Sequence, residues 1–513
     1  MQRRDFLIRT LQAGAVLPLA SSGLFARAFE GFSSLPRLAG MEDHVLVLIN
    51  LNGGNDGLNM VVPVNDQRYH DARPTIRLRA NETLPITDGL ALHGTMTPIH
   101  TLFNNGQCAI VQSVGYPNQD RSHFRSTDIW HTASEADQIW HTGWLGRYLE
   151  QSHPEYPATL PTAPFAMQVG ANATLALQGD SGGMGMAIDN PDRFYNLANG
   201  LSVPDDPLPD TLAGPELKFV RDVIAQSNRY STEIRNAMLD GSTNVQYDAD
   251  GLSAQLRVVA RLINGGLGTG IYIVSLGGFD THNGQSVPHT TLLNRLSRAV
   301  SNFLSDVATA GNADRVVCMT YSEFGRRVNE NGSAGTDHGA AAPQFVIGKP
   351  VLGGKVIGGA PNLVELDNRG DIRFQHDFRQ IYATVLQNWL GFEAGATNAA
   401  LGGNFDRLPL FATPTVGVRD EQHARMAGVQ LAQNTPNPVT SATNIAFRIP
   451  ARSHVRITLF TVDGRALGTI LDRTVEPGEH RIPFNAGRLA SGSYVYTMEN
   501  AGYRLSRRMV VER

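Results

Sequence analysis

The sequence predicts an α/β protein built on a doubly wound, mostly parallel sheet, followed by a small antiparallel β-sandwich. Three observations predict it. Across residues 45–395, short apolar runs alternate with helical patterns, the rhythm of repeated strand–helix–strand units. At least three of those runs end in turns that carry an Asp, a Glu or a His. From residue 434 onward the helical patterns stop, and short alternating strands with glycine turns take over.

Composition narrows the classes. The chain has 513 residues, enough for a large core and more than one domain. Lys+Arg 43 against Asp+Glu 47 leaves a net charge of −4, with no basic excess to suggest a nucleic-acid partner. The two cysteines, Cys108 and Cys318, sit in apolar strand-like runs and read as small buried hydrophobes. Two cysteines cannot make a disulfide framework or a cysteine zinc cluster.

Residues 1–28 read as an export signal. Arg3-Arg4 precedes a weakly apolar stretch from Leu11 to Leu24, too short and too rich in Gly and Ser to span a membrane, and Ala26-Arg27-Ala28 is a cleavage site. The pattern resembles a twin-arginine (Tat) signal; the competing reading is a Sec signal with a basic start. The mature chain then carries no expected transmembrane segment.

The first strand is Val45 to Leu51, a near-continuous apolar run suited to a central parallel position. It ends in Gly53-Gly54-Asn55-Asp56-Gly57, where Asp56 is either a metal ligand or a turn residue. A short helix from Pro98 to Asn104 and a strand from Ala109 to Val114 follow. Next comes Arg121-Ser122-His123-Phe124-Arg125 at a predicted helix start. Free N–H groups and two arginines there favour an anion, and Ser122 reads as a nucleophile or as an N-cap. Residues 155–214 show little periodicity and read as a surface excursion. Helices are predicted over 216–230 and 252–263.

Ile271 to Leu276 is the next buried strand, and it runs into Gly277-Gly278-Phe279-Asp280-Thr281-His282. An amphipathic helix follows, with Leu292, Leu296, Val300, Phe303 and Val307 on one face. Arg315 to Tyr321 is another strand, followed by Ser322-Glu323-Phe324-Gly325-Arg326 and then Gly335-Thr336-Asp337-His338-Gly339. Glu323 with Arg326 or Arg327 also reads as a local salt bridge. A last helix opens at His376-Asp377 and runs to Leu390. In open α/β sheets ligands bind at the carboxyl ends of strands. Asp56, Asp280, His282, Glu323, Asp337 and His338 are therefore expected to converge on one divalent-metal site. Independent turn residues have no reason to repeat this pattern.

Five ordered motifs carry a resemblance: Gly-Gly-Asn-Asp-Gly-Leu-Asn, Arg-Ser-His-Phe, Gly-Gly-Phe-Asp-Thr-His, Ser-Glu-Phe-Gly-Arg and Gly-Thr-Asp-His-Gly. Together they resemble a bacterial family of twin-arginine-exported proteins of unknown function, grouped with the alkaline phosphatase/sulfatase superfamily. The resemblance covers roughly residues 41–412 and implies an alkaline-phosphatase-like fold. It also implies a hydrolase of phosphate or sulfate esters with one or two divalent ions, whether zinc, manganese, calcium or magnesium. By that resemblance Ser122 is the nucleophile. Arg121, His123 and Arg125 join it as catalytic residues, with the arginines on the substrate's oxyanion and His123 as a base or additional ligand. No Cys-x-Pro-x-Arg occurs, so a formylglycine-type sulfatase is not expected. Asp280 and His282 stand closer together than the superfamily's equivalent pair.

After a linker at 413–433, residues 434–513 resemble the C-terminal sorting domain of the type IX secretion system, including the ending Arg507-Arg508-Met509-Val510-Val511. A carbohydrate-binding sandwich is the competing reading. The strand positions of Phe447, Phe460, Tyr494 and Tyr496 suit core packing better than a sugar platform. The expectation is an exported protein in the periplasm, on the cell surface or secreted. Its partners are the Tat and type IX machinery and a small-molecule or glycan ester. The alternative is a non-catalytic surface binding protein on the same fold.

Overall fold

The computed structural model describes residues 43–512 apart from 88, 157–158, 171–172, 199–212, 413–427, 451, 462–465, 488 and 501–502. The export signal expected at 1–28 and most of the linker expected at 413–433 lie outside the described residues. The chain divides into two compact units. One is Asp43–Gln387 with Ala394–Ala412, and the other is chiefly Thr413–Arg513.

The first unit is built on a nine-stranded sheet. In chain order its strands are β1 (Val45–Asn52), β2 (Cys108–Gly115), β3 (Ala166–Val169), β4 (Met186–Ile188), β5 (Ile271–Gly277), β6 (Val316–Tyr321), β7 (Ala342–Ile347), β8 (Lys355–Ile357) and β9 (His376–Asp377). Their order across the sheet is β8-β2-β7-β6-β1-β5-β3-β4, with β9 also paired to β2. All pairings are parallel except those of β7, which runs antiparallel to both β2 and β6. The predicted α/β class with a mostly parallel sheet is what the chain adopts.

The apolar runs are central because both faces of the sheet are covered. Seven residues of β1 and all of β2 and β6 are buried. Helices α1 (His123–Thr132), α2 (Gly251–Asn264), α3 (Ser286–Thr309) and α4 (Phe378–Thr384) follow strands of the sheet. Leu256 and Val259 of α2 and Leu296, Val300 and Phe303 of α3 join the strand side chains in one core. Each fully buried Val, Leu or Ile contributes about 1.5–3 kcal/mol relative to exposure. Cys108 and Cys318 are free and buried in that core, as expected, and burial pushes both thiols up.

Three expectations change. The stretch 155–214 contributes the last two strands on one side of the sheet, β3 and the edge strand β4, only four and three residues long, too short to show a period. β7 escaped the sequence reading because Pro343 interrupts it; the strand accommodates this with a register shift between Ala342 and Gln344. His376 and Asp377 form a strand pairing with Val114 and Gly115, and α4 starts only at Phe378, with the Asp377 side chain accepting from Arg379 N. No helix among the described residues is long and apolar enough to cross a membrane.

The second unit contains two antiparallel sheets. One joins Gln430–Leu431, Ala442–Ile449 and Gly478–Asn485; the other joins Ala466–Val475, Ser453–Thr461, Gly492–Asn500 and Tyr503–Val511. Phe447 and Ile445 of the first share a core with Ile457, Tyr496 and Met509 of the second. Phe447, Tyr494 and Tyr496 are buried and Phe460 is half-buried, as core packing requires.

Candidate metal centre

β1 sits between β5 and β6 and pairs with both in parallel, so the carboxyl ends of all three lie together. β2 ends on the same edge, because it and β6 both run antiparallel to β7. Four loops meet there: residues 53–56, 116–122, 278–282 and 322–338. Glycine permits the closest approach. Gly53 has φ +120°, and a Cβ on it would lie 2.4 Å from the backbone nitrogen of Asp280. Gly335 backs onto His282, where a Cβ would lie 2.2 Å from the carbonyl carbon.

Asp280 is the centre of the cluster. Its Oδ1 accepts from Nη2 of Arg326 at 2.6 Å and lies 3.1 Å from Nε2 of both His338 and His282. Its Oδ2 lies 3.4 Å from Nε2 of His123. The two Nε2 atoms of His282 and His338 are 3.0 Å apart. Phe324, buried, packs beside the His123 and His338 rings at centroid distances of 4.9 and 4.5 Å. Burial pushes the Asp280 carboxyl up, but the Arg326 guanidinium beside it holds it below the usual carboxylate range.

Each histidine is held by its other nitrogen. Nδ1 of His123 is 2.8 Å from Oε1 of Glu323, Nδ1 of His282 is 3.0 Å from Oδ1 of Asp337, and Nδ1 of His338 is 2.8 Å from the carbonyl of Arg121. These partners are two carboxylates and a carbonyl, which accept, so each ring carries its proton on Nδ1. The three Nε2 lone pairs are then turned toward one carboxylate.

The expected site residues thus separate by role. Asp280, His282 and His338 come together, and His123 joins them. Glu323 and Asp337 touch the cluster through the histidines they orient. Glu323 Oε1 also accepts from Gly53 N at 2.8 Å, and Asn331 donates to Asp337 Oδ1 at 3.2 Å. Hydrogen bonds from Asn331 and His282 hold the Asp337 carboxyl below its usual value.

Asp56 is placed elsewhere. It is fully buried, its two oxygens accepting from Arg73 Nη1 and Nη2 at 2.6 and 2.9 Å, and Gln285 donates to it as well. Burial pushes its carboxyl up, yet Arg73 holds it below 3.8. The two arginines expected to face an anion are spent on the chain itself. Arg121 pairs with Asp371 and with Asp367 at 3.0 Å, and Arg125 donates to the carbonyls of Glu135 and Ala136 at 3.2 and 3.1 Å and of Gln138. Ser122 is exposed at the N-cap of α1 with no capping bond from its hydroxyl, while its N–H donates to Asp120 at 2.7 Å.

Sequence reasoning missed Arg326. Only 1% exposed, it donates to the carbonyls of Gly53, Gly54 (2.6 Å), Phe279 (3.0 Å) and Thr336 (2.7 Å) as well as to Asp280, tying three loops together. Read in sequence, Arg326 suggested only a local pair with Glu323. Its real partners follow β1 and β5, which no local pattern reveals.

Residues 225–405 match the family described as Protein of unknown function (DUF1501). That DUF1501 segment holds Asp280, His282, Glu323, Asp337 and His338; Ser122 and His123 precede it. Residues 435–512 match the Secretion system C-terminal sorting domain, which indicates export to the cell surface or secretion. No curated protein matches the chain. Among solved structures, a sulfatase from Pseudoalteromonas sp. is 12% identical over 86% of this chain and 84% of its own, with a TM-score of 0.33. A protein in the alkaline phosphatase superfamily from Vibrio parahaemolyticus is 9% identical over 88% and 85%, with a TM-score of 0.30. The lipoteichoic acid synthase LtaP from Listeria monocytogenes is 8% identical over 84% and 88%, with a TM-score of 0.32. These scores lie below 0.5, and the fold rests on the chain's own sheet order.

Proposed function

We propose that this exported protein is a metal-dependent hydrolase of phosphate or sulfate esters, with one divalent ion held by His123, Asp280, His282 and His338. The observation that carries the reading is the three Nε2 atoms turned toward one carboxylate, two of them 3.0 Å apart. Facing lone pairs at that distance repel unless a cation lies between them. His123, Asp280 and His338 also offer ligand atoms within 4.8 Å of one another. A set rich in imidazole nitrogen suits zinc better than calcium, magnesium or manganese. Such an ion lowers the pKa of a bound hydroxyl or water and polarises an ester oxygen.

The chain's own residues supply the rest. Glu323 and Asp337 fix the tautomer and aim of two ligands. Ser122, beside His123, presents a hydroxyl that no cap consumes and is the proposed nucleophile. The free N–H groups of the first turn of α1 offer positive potential for an anionic group. One observation favours a second reading, a non-catalytic binding protein: Arg121 and Arg125 are committed within the chain.

The test is turnover of generic phosphate and sulfate esters by metal-loaded protein. Ser122→Ala is expected to abolish turnover while metal content and fold survive. A hydroxyl acting as an N-cap would cost about 0.5–2 kcal/mol on removal; with no capping bond present, a smaller loss is expected. Undiminished turnover in Ser122→Ala removes the nucleophile assignment, and no turnover by the metal-loaded wild type favours the binding protein.

A further inference from the structure

A cavity of about 470 Å³ lies beside the cluster, between the loop that carries Arg121 and the segment 367–374. Arg121 joins the two places: its carbonyl holds His338, and its guanidinium forms part of the cavity wall. The wall's charges do not balance. Asp367 and Asp371 are both engaged by Arg121, and Asp371 also faces Arg327 at 3.6 Å. Arg369 and Arg373 line the same cavity, and neither has a carboxylate partner among the described residues. Arg373 donates its Nε to the Leu366 carbonyl at 2.9 Å, which orients its guanidinium. Arg369 rides on a turn closed by Asp367, whose Oδ1 accepts from the N–H of Arg369 and of Asp371, each at 2.8 Å. Phe374, 38% exposed, adds an apolar ring, and Asn118 and Asn368 add amides.

We propose that this cavity is a subsite for a second anionic group on a saccharide, with Arg369 and Arg373 taking the charge and Phe374 the sugar ring. Two unmatched guanidiniums, Arg369 on a closed turn and Arg373 tied to the Leu366 carbonyl, are pre-arranged for sulfate, phosphate or carboxylate. The volume falls in the range of small-ligand pockets, about 300–1,000 Å³, and suits a sugar unit. The subsite rests on the hydrolase reading for its ester, whereas binding in the cavity needs no turnover.

The experiment is calorimetry on full-length zinc-loaded protein. The probes are maltose with one sulfate on each ring, maltose with a single sulfate, and inorganic sulfate. The doubly sulfated sugar is expected to bind about tenfold tighter than the singly sulfated one, as a charged hydrogen bond implies. Arg369→Ala or Arg373→Ala should erase that difference. Phe374→Ala should weaken both sugars and leave inorganic sulfate unchanged. All three side chains are exposed, so folding is not at stake. Arg257→Ala, an exposed arginine on α2, is the charge control and should change nothing. The proposal is overturned if no sugar binds, if the tenfold difference survives both arginine variants, if Phe374→Ala leaves sugar binding intact, or if Arg257→Ala weakens it equally. Should these binding changes appear while no ester is turned over, the hydrolase reading fails and the subsite stands. Ester turnover indifferent to Arg369 and Arg373, with binding also indifferent, has the opposite meaning.

Discussion

His282 and His338 bring two ring nitrogens within 3.0 Å while Asp337 and the Arg121 carbonyl hold the opposite sides of the rings. Residues that ligate and residues that orient should therefore separate in measurement. His338→Ala or Asp280→Ala is expected to empty most of the site. Asp337→Asn or Glu323→Gln should cost only about 10–100-fold in metal affinity. Elemental analysis and competition with a chelator read both, and full occupancy in His338→Ala would falsify the ligand assignment. Asp56 follows a different logic, because its buried partner is Arg73. Asp56→Asn leaves a buried guanidinium without its counter-charge and should cost about 3–5 kcal/mol. The folded-state pKa of Asp56 lies below 3.8, so the pair's stabilisation is complete above that pH and fades as pH falls through the folded value. Urea unfolding from pH 7 to pH 2 should show wild type and Asp56→Asn far apart at neutral pH and converging below about 3.8. A gap that does not change with pH would remove Asp56 ionisation as its source.

Among the elements, the strands bring the chemistry to one edge and the loops after them decide which groups meet. The loops after β1 and β5 touch at Gly53, where a Cβ would meet Asp280 N at 2.4 Å and φ is +120°. Gly53→Ala should cost about 1–3 kcal/mol through overpacking and strain. It should also weaken metal binding, because Asp280 must move. Gly251→Ala is the companion variant: nothing lies within 4 Å of its Cβ position, so neither stability nor metal content should change. Equal effects in both variants would sink the close-approach argument. β1, β2, β5 and β6 were legible because long apolar runs at the centre of a sheet have both faces buried. β3, β4 and β7 were not, the first two being too short and the last broken by Pro343.

For the molecule as a whole, export and the α/β site belong to different units. Deleting residues 434–513 is expected to leave the α/β unit folded and able to bind metal, and to stop its arrival at the cell surface or in the medium. Cell fractionation and a thermal melt of the truncated protein check both halves, and surface arrival of the truncated chain would discard the sorting role. The sequence by itself determined the α/β class, the second β unit and the strand-end loops that carry Asp280, His282 and His338. Those readings depend on local pattern: apolar runs, strand-end turns and motif order. Only the tertiary structure decided that Asp56 is buried with Arg73, that Glu323 and Asp337 orient histidines, and that Arg326 ties three loops. These roles depend on partners 10 to 273 positions apart in the chain, such as Arg73 with Asp56, Glu323 with Gly53 and Arg326 with Gly53. Residue type states what a side chain can donate or accept; the partner that claims it is fixed only when the sheet brings distant loops to one edge.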